Sequence, residues 1–261
     1  MPSFTVATGR GPIFNRVEDT PMPDAAELID RFRRTAPNLS VGLLTANLMA
    51  LAEDVRLLEE GGVRLAHFDV MDGCFCPMLT FGPPFIKAVR TSLLKDVHLM
   101  VEEPLEKLEA YVAAGADLIT FHAEGCRHPH RALQLLRGMR NANDPDRPLL
   151  RGIAICPGTP VETIEPLLDE VEMVFLLAVN PGWGGQKFIP STAHRFRKLR
   201  ALVGSRKILT GLDGGVTRDN IAEIGDLKAD IIVTGSAVFD GQAPAQNLRR
   251  MLDAAAGNRS V

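Results

Sequence analysis

The dominant pattern of the chain, from Leu39 onward, is an alternation of short apolar runs with longer amphipathic stretches. Runs of this length are typical of buried strands, and apolar residues spaced three and four apart are typical of helices. The predicted strands are Leu39–Thr45, Leu65–Val70, Asp96–Met100, Leu118–His122, Leu150–Cys156, Met173–Val179, Lys207–Leu212 and Asp230–Thr234. The predicted helices are Leu48–Glu60, Pro84–Ser92, Pro104–Ala114, Pro129–Arg140, Val161–Glu170, Thr192–Val203, Arg218–Gly225 and Ala245–Ala255.

Eight strand–helix units within roughly 220 residues predict an α/β protein with a (β/α)8, or TIM, barrel. A doubly wound open sheet is the structural alternative. It fits less well, because residues able to do chemistry follow several strands and only a barrel brings all these strand ends to one rim. We therefore expect a catalytic barrel domain at 38–261 and a short N-terminal extension at 1–37.

The extension contains one predicted helix within Pro23–Ala36, with Leu28, Ile29 and Phe32 on one side. An apolar stripe of this kind packs against other apolar surface. We expect it to cover the bottom of the barrel or one flank, and a lid over the active site is the alternative.

Two histidines and two aspartates stand on or after predicted strands. His67 and Asp69 are two residues apart, so on a strand their side chains share one face. His98 arrives from the next strand, and Asp213 follows the apolar run Ile208–Leu212. A lone strand histidine is usually an ordinary core or surface residue, but imidazole and carboxylate together are ligands for a divalent metal. The four residues jointly indicate such a site.

Glycine-rich segments follow the last three predicted strands. Glycine lets backbone N–H groups approach an anion closely, and barrels repeatedly bind phosphate at the loops after strands seven and eight. Such loops are often only tight turns, but three in succession indicate one phosphate site at the C-terminal rim. The predicted phosphate-binding residues are Gly182, Trp183, Gly184, Gly185, Gly214, Gly215, Gly235 and Ser236.

Composition narrows the class of protein. Apolar residues make up 46% of the chain and charged residues 23%, as in ordinary globular proteins, and the net charge of −3 argues against a nucleic-acid partner. No apolar stretch is long enough to cross a membrane, and the N-terminus does not look like a secretory signal. The four cysteines lack disulfide-rich spacing, so we expect reduced thiols and a cytoplasmic protein.

Several motifs, taken in order, resemble those of the ribulose-phosphate 3-epimerase family. They span about residues 38 to 241, nearly the whole barrel, and are jointly specific. They are His67-Phe-Asp-Val-Met-Asp-Gly73, Phe81-Gly-Pro-Pro84, Asp96-Val-His-Leu-Met-Val101, Asn180-Pro-Gly-Trp-Gly-Gly-Gln186, Asp213-Gly-Gly-Val216 and Gly235-Ser-Ala-Val-Phe239.

The resemblance implies a barrel of the ribulose-phosphate-binding type and an isomerase of the pentose phosphate pathway. It implies that His67, Asp69, His98 and Asp213 hold one divalent ion: zinc, iron, manganese or cobalt. It also implies that Asp69 is the base and Asp213 the acid in inverting C3 of D-ribulose 5-phosphate to give D-xylulose 5-phosphate through an enediolate. Two carboxylates on opposite faces of that planar intermediate suit an inversion, because a single base would return the proton to the same face.

Three positions depart from the family pattern. Gly42 replaces a serine that contacts substrate, Leu177 replaces a methionine, and Cys156 stands where asparagine is frequent. Met71 and Met100 match thioethers beside the intermediate, although flexible methionine equally fills a barrel interior.

These changes alter the pocket near the sugar and leave the substrate more open than the reaction. The alternatives are a 3-epimerase of another phosphorylated ketose (a ketohexose or ketotetrose) and a non-catalytic phosphosugar-binding barrel. The expected partners are a small phosphorylated ketose and further copies of the chain in a homo-oligomer, with no nucleic acid and no membrane.

Overall fold

The computed structural model describes residues 24–257, in which eight parallel strands close into a barrel in sequence order. Closure is made by β1 against β8, with Asn38 opposite Ile231 and Val41 opposite Thr234. The (β/α)8 prediction is confirmed and the open sheet is wrong. The strands are β1 Asn38–Gly42, β2 Leu65–Met71, β3 Leu94–Met100, β4 Leu118–His122, β5 Leu150–Ile155, β6 Met173–Leu177, β7 Leu209–Asp213 and β8 Ile231–Thr234.

Helices surround the barrel and connect its strands. The α-helices are α1 Ala26–Arg34, α2 Leu51–Glu60, α3 Pro83–Ala88, α4 Leu108–Ala113, α5 Pro129–Arg137, α6 Thr192–Val203, α7 Ile221–Gly225 and α8 Pro244–Ala256. Three 3-10 helices are added at Leu43–Thr45, Pro104–Glu106 and Val161–Glu170. Within residues 24–257, no helix combines the length and the apolar content needed to cross a bilayer.

Three of the predicted elements are corrected in type. The first turn of the predicted helix Pro104–Ala114 is a 3-10 helix at Pro104–Glu106, and the α-helix begins at Leu108. The end of the first predicted strand, Leu43–Thr45, is a 3-10 turn in which the Thr45 hydroxyl donates to Gly42 O at 3.3 Å. The predicted α-helix Val161–Glu170 is a 3-10 helix with Pro166 inside it, and proline has no N–H for an α-helical hydrogen bond. The other element ends move by a few residues, as is usual at frayed ends.

The N-terminal helix α1 covers the bottom of the barrel. Its Leu28, Ile29 and Phe32 are buried, and Phe32 is completely inaccessible. They pack in one cluster with apolar residues at the N-terminal ends of the strands: Leu65, Leu94, Leu118, Leu150, Met173, Leu209 and Ile231. The expectation of a barrel cover is confirmed and that of an active-site lid is wrong. The domain boundary at residue 37 stays a prediction.

The upper half of the barrel interior is polar. In the β2–β3 pair, His67 lies opposite Asp96, Asp69 opposite His98, and Met71 opposite Met100. Alternate strand residues share a face, so this register places two imidazoles and two carboxylates above the apolar floor. The site therefore lies at the C-terminal end of the barrel.

Candidate active site

The four predicted donor side chains converge on one point. Each of His67, Asp69, His98 and Asp213 offers an atom, and these atoms all lie within 4.8 Å of one another. His98 Nδ1 is 3.0 Å from Asp213 Oδ2, and His67 Nε2 is 3.4 Å from Asp69 Oδ1. This arrangement of two nitrogens and two carboxylate oxygens is compatible with a single divalent ion.

His67 is oriented from behind by a buried carboxylate. Its Nδ1 lies 2.8 Å from Asp96 Oδ2, and the Ser40 hydroxyl donates to the same oxygen at 2.7 Å. The opposite nitrogen, Nε2, is buried and has no hydrogen-bond partner among the described residues. A buried nitrogen aimed at two carboxylates without a partner is what a cation would satisfy, so the residues fit a metal ion.

His98 is oriented by a second histidine. Its Nε2 lies 2.9 Å from Nε2 of His122, and the two rings stack with centroids 5.0 Å apart. On the far side, His122 Nδ1 lies 3.5 Å from Glu124 Oε2 and 3.4 Å from Cys156 Sγ. His122, Glu124 and Cys156 also form a group of potential metal donors, but the charge of Arg195 lies beside them and disfavours a cation there.

The charges of the donor cluster stabilise one another. Burial alone would lower the pKa of His67, but the carboxylates of Asp96 and Asp69 raise it well above its usual range. Burial would raise the pKa of Asp69, but the charges of His67 and His98 lower it. Asp69 is thus an ionised carboxylate at neutral pH, as a metal ligand or a base must be.

Behind His98, the pKa values of His122 and Glu124 are both lowered. Burial lowers the pKa of His122 to about 4, so its imidazole is neutral at physiological pH. Burial opposes ionisation of Glu124, but hydrogen bonds from His122, Thr159 and the Cys156 amide lower its pKa to about 2. A neutral imidazole therefore lies between a proposed ligand and a carboxylate.

A cavity of about 610 Å³ opens above the donors at the C-terminal rim. Asp69 and Asp213 line it directly, whereas the nearly inaccessible His67 and His98 lie beneath its floor. The predicted pocket and phosphate residues also line it: Gly42, Met71, Met100, Gly182, Trp183, Gly184, Gly185, Gly214, Gly215, Gly235 and Ser236. The structure brings every predicted site residue to one place, and their roles stay predictions.

The glycine segments are shaped by their conformation and by close packing. Gly214 and Gly215 have φ angles of +98° and +69°, which side chains disfavour. A Cβ at Gly215 would lie 2.5 Å from Phe188 N, and one at Gly235 would lie 2.8 Å from Thr45 Oγ1. Within residues 24–257, the backbone hydrogen bonds outside helices and strands leave the Gly214, Gly215, Gly235 and Ser236 amides without an acceptor. Free amides beside a cavity can bind an anion.

The wall at Gly42 has room for a Cβ. A Cβ at this position would meet Asp69 Oδ2 and Gly235 Cα at 3.6 Å, which is ordinary van der Waals contact. A Cβ would therefore fit, and glycine leaves that small space beside Asp69. Met71 and Met100 pack with Cys76 while also bordering the cavity, so both interpretations of these methionines are compatible with their location.

The sequence interpretation missed three supporting residues: Ser40, Asp96 and His122. The available signal was the two-residue period of a strand. Asp96, for example, stands two residues before His98 and therefore shares its face. Asp72, which stands in the motif, supports the loop after β2. Burial would raise its pKa, but it accepts the Phe75, Cys74 and Glu102 amides and a bond from Lys107, which lower it to about 2.

The fold and the site together define a (β/α)8-barrel enzyme with paired carboxylates beneath a glycine-lined cavity. The sequence model of the ribulose-phosphate 3 epimerase family matches residues 38–239, so the chain belongs to this family. It is therefore an epimerase, in the isomerase class of enzymes.

Curated relatives align with this chain over most of their own length. The chain is 39% identical to the ribulose-phosphate 3-epimerase of Bacillus subtilis, covering 76% of this chain and 89% of the relative. It is 41% identical to that of Rhodobacter capsulatus, covering 81% and 88%. A putative epimerase LsrE of Salmonella typhi is 38% identical, covering 81% and 84%.

Solved structures support the fold alone. The 3-hexulose-6-phosphate synthase of Salmonella typhimurium superposes with a TM-score of 0.61 at 16% identity, covering 84% of this chain and 98% of that one. The phosphoribosyl anthranilate isomerase of Thermotoga maritima gives 0.56 at 17% identity, covering 84% and 98%.

Proposed function

We propose that the protein inverts C3 of D-ribulose 5-phosphate to give D-xylulose 5-phosphate. The observation that carries this proposal is the placement of Asp69 and Asp213 on one cavity, from strands β2 and β7, which are three positions apart around the barrel. Carboxylates that approach a bound sugar from two sides can remove a proton on one face and return it on the other. The names of the curated relatives point to the same substrate.

His67, Asp69, His98 and Asp213 would hold one divalent ion: zinc, iron, manganese or cobalt. When bound, such an ion polarises the ketose carbonyl and offsets the negative charge that develops on its oxygen. Asp96 holds the ring of His67 and His122 holds that of His98, so both imidazoles are preorganised. All four metals accept nitrogen and oxygen ligands.

Asp69 is proposed as the base and Asp213 as the acid. Asp69 is ionised and borders the cavity, so its carboxylate can accept the C3 proton. Asp213 reaches the same cavity from the other side and returns a proton to the opposite face of the planar enediolate.

The amides of Gly182–Gly185, Gly214-Gly215 and Gly235-Ser236 are proposed to bind the phosphate. Their support is the free amides on the cavity wall together with the close approach that glycine permits. Phosphate held at this wall directs the sugar carbons toward the two aspartates. This geometry favours a phosphorylated ketose over a free sugar.

A second candidate substrate is another phosphorylated ketose. It is favoured by one observation, the space for a Cβ that Gly42 leaves beside Asp69. A longer or differently substituted sugar would use that space. A barrel that only binds phosphosugars would have no use for two opposed carboxylates, and it gains no support.

The decisive experiment assays epimerisation of a panel of phosphorylated ketoses, with metal content measured on the same samples. We expect the highest kcat/KM with ribulose 5-phosphate, and a ketohexose or ketotetrose phosphate turned over faster would favour the second candidate. Asp69→Asn and Asp213→Asn should each abolish epimerisation, while one of them can retain exchange of the C3 proton with solvent. Substantial epimerisation by either variant at normal metal occupancy would refute the assigned roles.

We further propose a homo-oligomer in the cytoplasm. Leu48, Met49 and Leu79 are exposed apolar residues on loops after β1 and β2, and self-association would bury them. All four cysteines are free thiols, as expected in a reducing compartment. Light scattering on purified protein tests the assembly, and a monomer at micromolar concentration would refute it.

A further inference from the structure

We propose that His122 is a positioning residue that, together with Glu124, sets which nitrogen of His98 carries a proton. The inference rests on the proposed metal role of His98. It assigns a function to a histidine and a carboxylate that lie outside the donor cluster. His122 is completely buried at the end of β4, and Glu124 lies behind it with 27% of its side chain exposed.

The two ring nitrogens of His98 face different partners. Nδ1 points toward the donor cluster, 3.0 Å from Asp213 Oδ2 and 3.9 Å from Asp69 Oδ1. Nε2 points away from it, 2.9 Å from His122 Nε2. A nitrogen that binds a cation must offer its lone pair, so the His98 proton must then lie on Nε2.

A hydrogen bond between two Nε2 atoms needs one donor and one acceptor, and two neutral arrangements satisfy this. In the first, His98 Nε2–H donates to His122, which then carries its own proton on Nδ1. In the second, His122 Nε2–H donates to His98, whose proton then lies on Nδ1 and faces Asp213. Only the first arrangement leaves His98 Nδ1 able to bind a cation.

The far end of His122 decides between the two arrangements. Its Nδ1 is 3.5 Å from Glu124 Oε2, and an ionised carboxylate only accepts hydrogen bonds. Glu124 is itself fixed, because its Oε1 accepts the Cys156 amide at 2.8 Å and the Thr159 hydroxyl. The carboxylate therefore favours a proton on His122 Nδ1, which prepares His98 for a cation.

Asp213 acts against this arrangement, because its Oδ2 lies 3.0 Å from His98 Nδ1 and a carboxylate oxygen accepts a hydrogen bond from a proton placed there. A cation bound by both residues would remove that competing hydrogen bond. The contact of His122 Nδ1 with Glu124 would then keep the remaining His98 proton on Nε2, facing His122.

The first test reads the proton positions directly. Nitrogen-15 NMR of histidine-labelled protein, with and without Zn²⁺, distinguishes protonated from unprotonated ring nitrogens. We expect the zinc-loaded protein to carry protons on His98 Nε2 and His122 Nδ1. A zinc-loaded protein with the His122 proton on Nε2 would overturn the inference.

The second test measures zinc affinity by competition with a chromophoric chelator. His122→Phe removes the acceptor and should weaken zinc binding by about 10–100-fold, as loss of a ligand's outer partner typically does. His122→Gln restores a carbonyl acceptor and should recover part of the loss. Unchanged affinity in a folded His122→Phe protein would overturn the inference.

Glu124→Gln keeps the test available if the buried His122 variants fail to fold. The new amide can donate to His122 Nδ1 and so favours the wrong arrangement, and we expect about tenfold weaker zinc binding. Glu102→Gln, an exposed carboxylate on the same rim, is the matched control and should bind zinc normally. Equal affinities for the two variants would overturn the role of Glu124.

The failure of the metal proposal gives a different result. His98→Ala should lose zinc binding outright. If His98→Ala binds zinc as tightly as the parent protein, the ligand role of His98 is wrong, and the inference falls with it. If His98 is required but His122 and Glu124 are not, the ligand role stands and only the positioning role is refuted.

Discussion

Replacement of Asp96 tests whether the orientation of His67 matters for metal binding. Asp96 is fully buried, and its Oδ2 receives both the His67 ring at 2.8 Å and the Ser40 hydroxyl at 2.7 Å. Asp96→Asn keeps the shape and a carbonyl acceptor but removes the charge. Asp96→Leu removes the acceptor as well, so that His67 is no longer held in one orientation.

The structure sets the scale of the expected loss. Hydrogen bonds to a charged group contribute about 1.5–3 kcal/mol and neutral ones about 1 kcal/mol, so loss of the charge at Asp96 costs on the order of 1 kcal/mol. Loss of an outer partner of a metal ligand typically weakens binding about 10–100-fold, or ~1.4–2.8 kcal/mol. We therefore expect about tenfold weaker zinc binding for Asp96→Asn and about a hundredfold for Asp96→Leu.

Chelator competition on metal-stripped protein measures these affinities without relying on turnover. Asp117→Asn is the matched control, since Asp117 is also a buried carboxylate but binds the Lys95 amide, Asn141 and Arg147 near the opposite end of the barrel. It should lose stability and keep its zinc affinity. The reasoning is refuted if Asp96→Asn binds zinc normally, or if Asp117→Asn loses as much affinity.

Three further predictions concern the apolar floor of the barrel at Phe32, the thiol of Cys156 and the cavity wall at Gly42. Phe32→Ala empties a fully buried position under the barrel. It should lower the free energy of unfolding, measured by urea titration, by about 3–5 kcal/mol. A loss under about 1 kcal/mol would contradict the packing role of α1. Burial and the charge of Glu124 raise the pKa of Cys156 to about 12, so iodoacetamide at pH 8 should label exposed Cys74 first. Glu124→Gln should speed the labelling of Cys156, as measured by peptide mapping. Equal labelling rates for the two thiols would contradict this prediction. The Cβ of Gly42→Ser would meet only ordinary contacts, and the substitution should raise KM for larger ketose phosphates relative to ribulose 5-phosphate. An unchanged KM ratio would show that this wall does not select the sugar.

The alternation of residues along strands is enough to predict the donor cluster but not its supports. His67, Asp69 and His98 follow from the two-residue period, and Asp213 from its place after an apolar run. The partner of His67 depends on the register between β2 and β3, which sets His67 opposite Asp96. Register depends on the patterns of both strands together and on the geometry of the segment that connects them, so it is not contained in the period of either strand alone.

The type of the helix at Val161–Glu170 could not be predicted from the local pattern of apolar residues either. Apolar spacing predicted a helix at Val161–Glu170, and its buried residues do face the barrel. The pattern does not distinguish α from 3-10 geometry, because both bring residues three apart to one side. Pro166 was the available signal, since proline inside an α-helix removes a hydrogen bond.

Glycine is the residue type whose role depends most on its surroundings. Gly42 and Gly235 both border the cavity, yet a Cβ would have ordinary contacts at Gly42 and would press on Thr45 Oγ1 at 2.8 Å at Gly235. A Gly235→Val substitution would therefore displace Thr45 as well as a phosphate, and a rise in KM would not separate the two effects. At Gly184 a Cβ would meet nothing within 4 Å, so this position can be altered without a packing clash, whereas a Cβ at Gly182 in the same segment would lie 2.6 Å from Cys76 Cβ. The sequence predicts that glycines gather at this rim, but only the neighbouring strands determine which of them packing requires and which leave space for substrate.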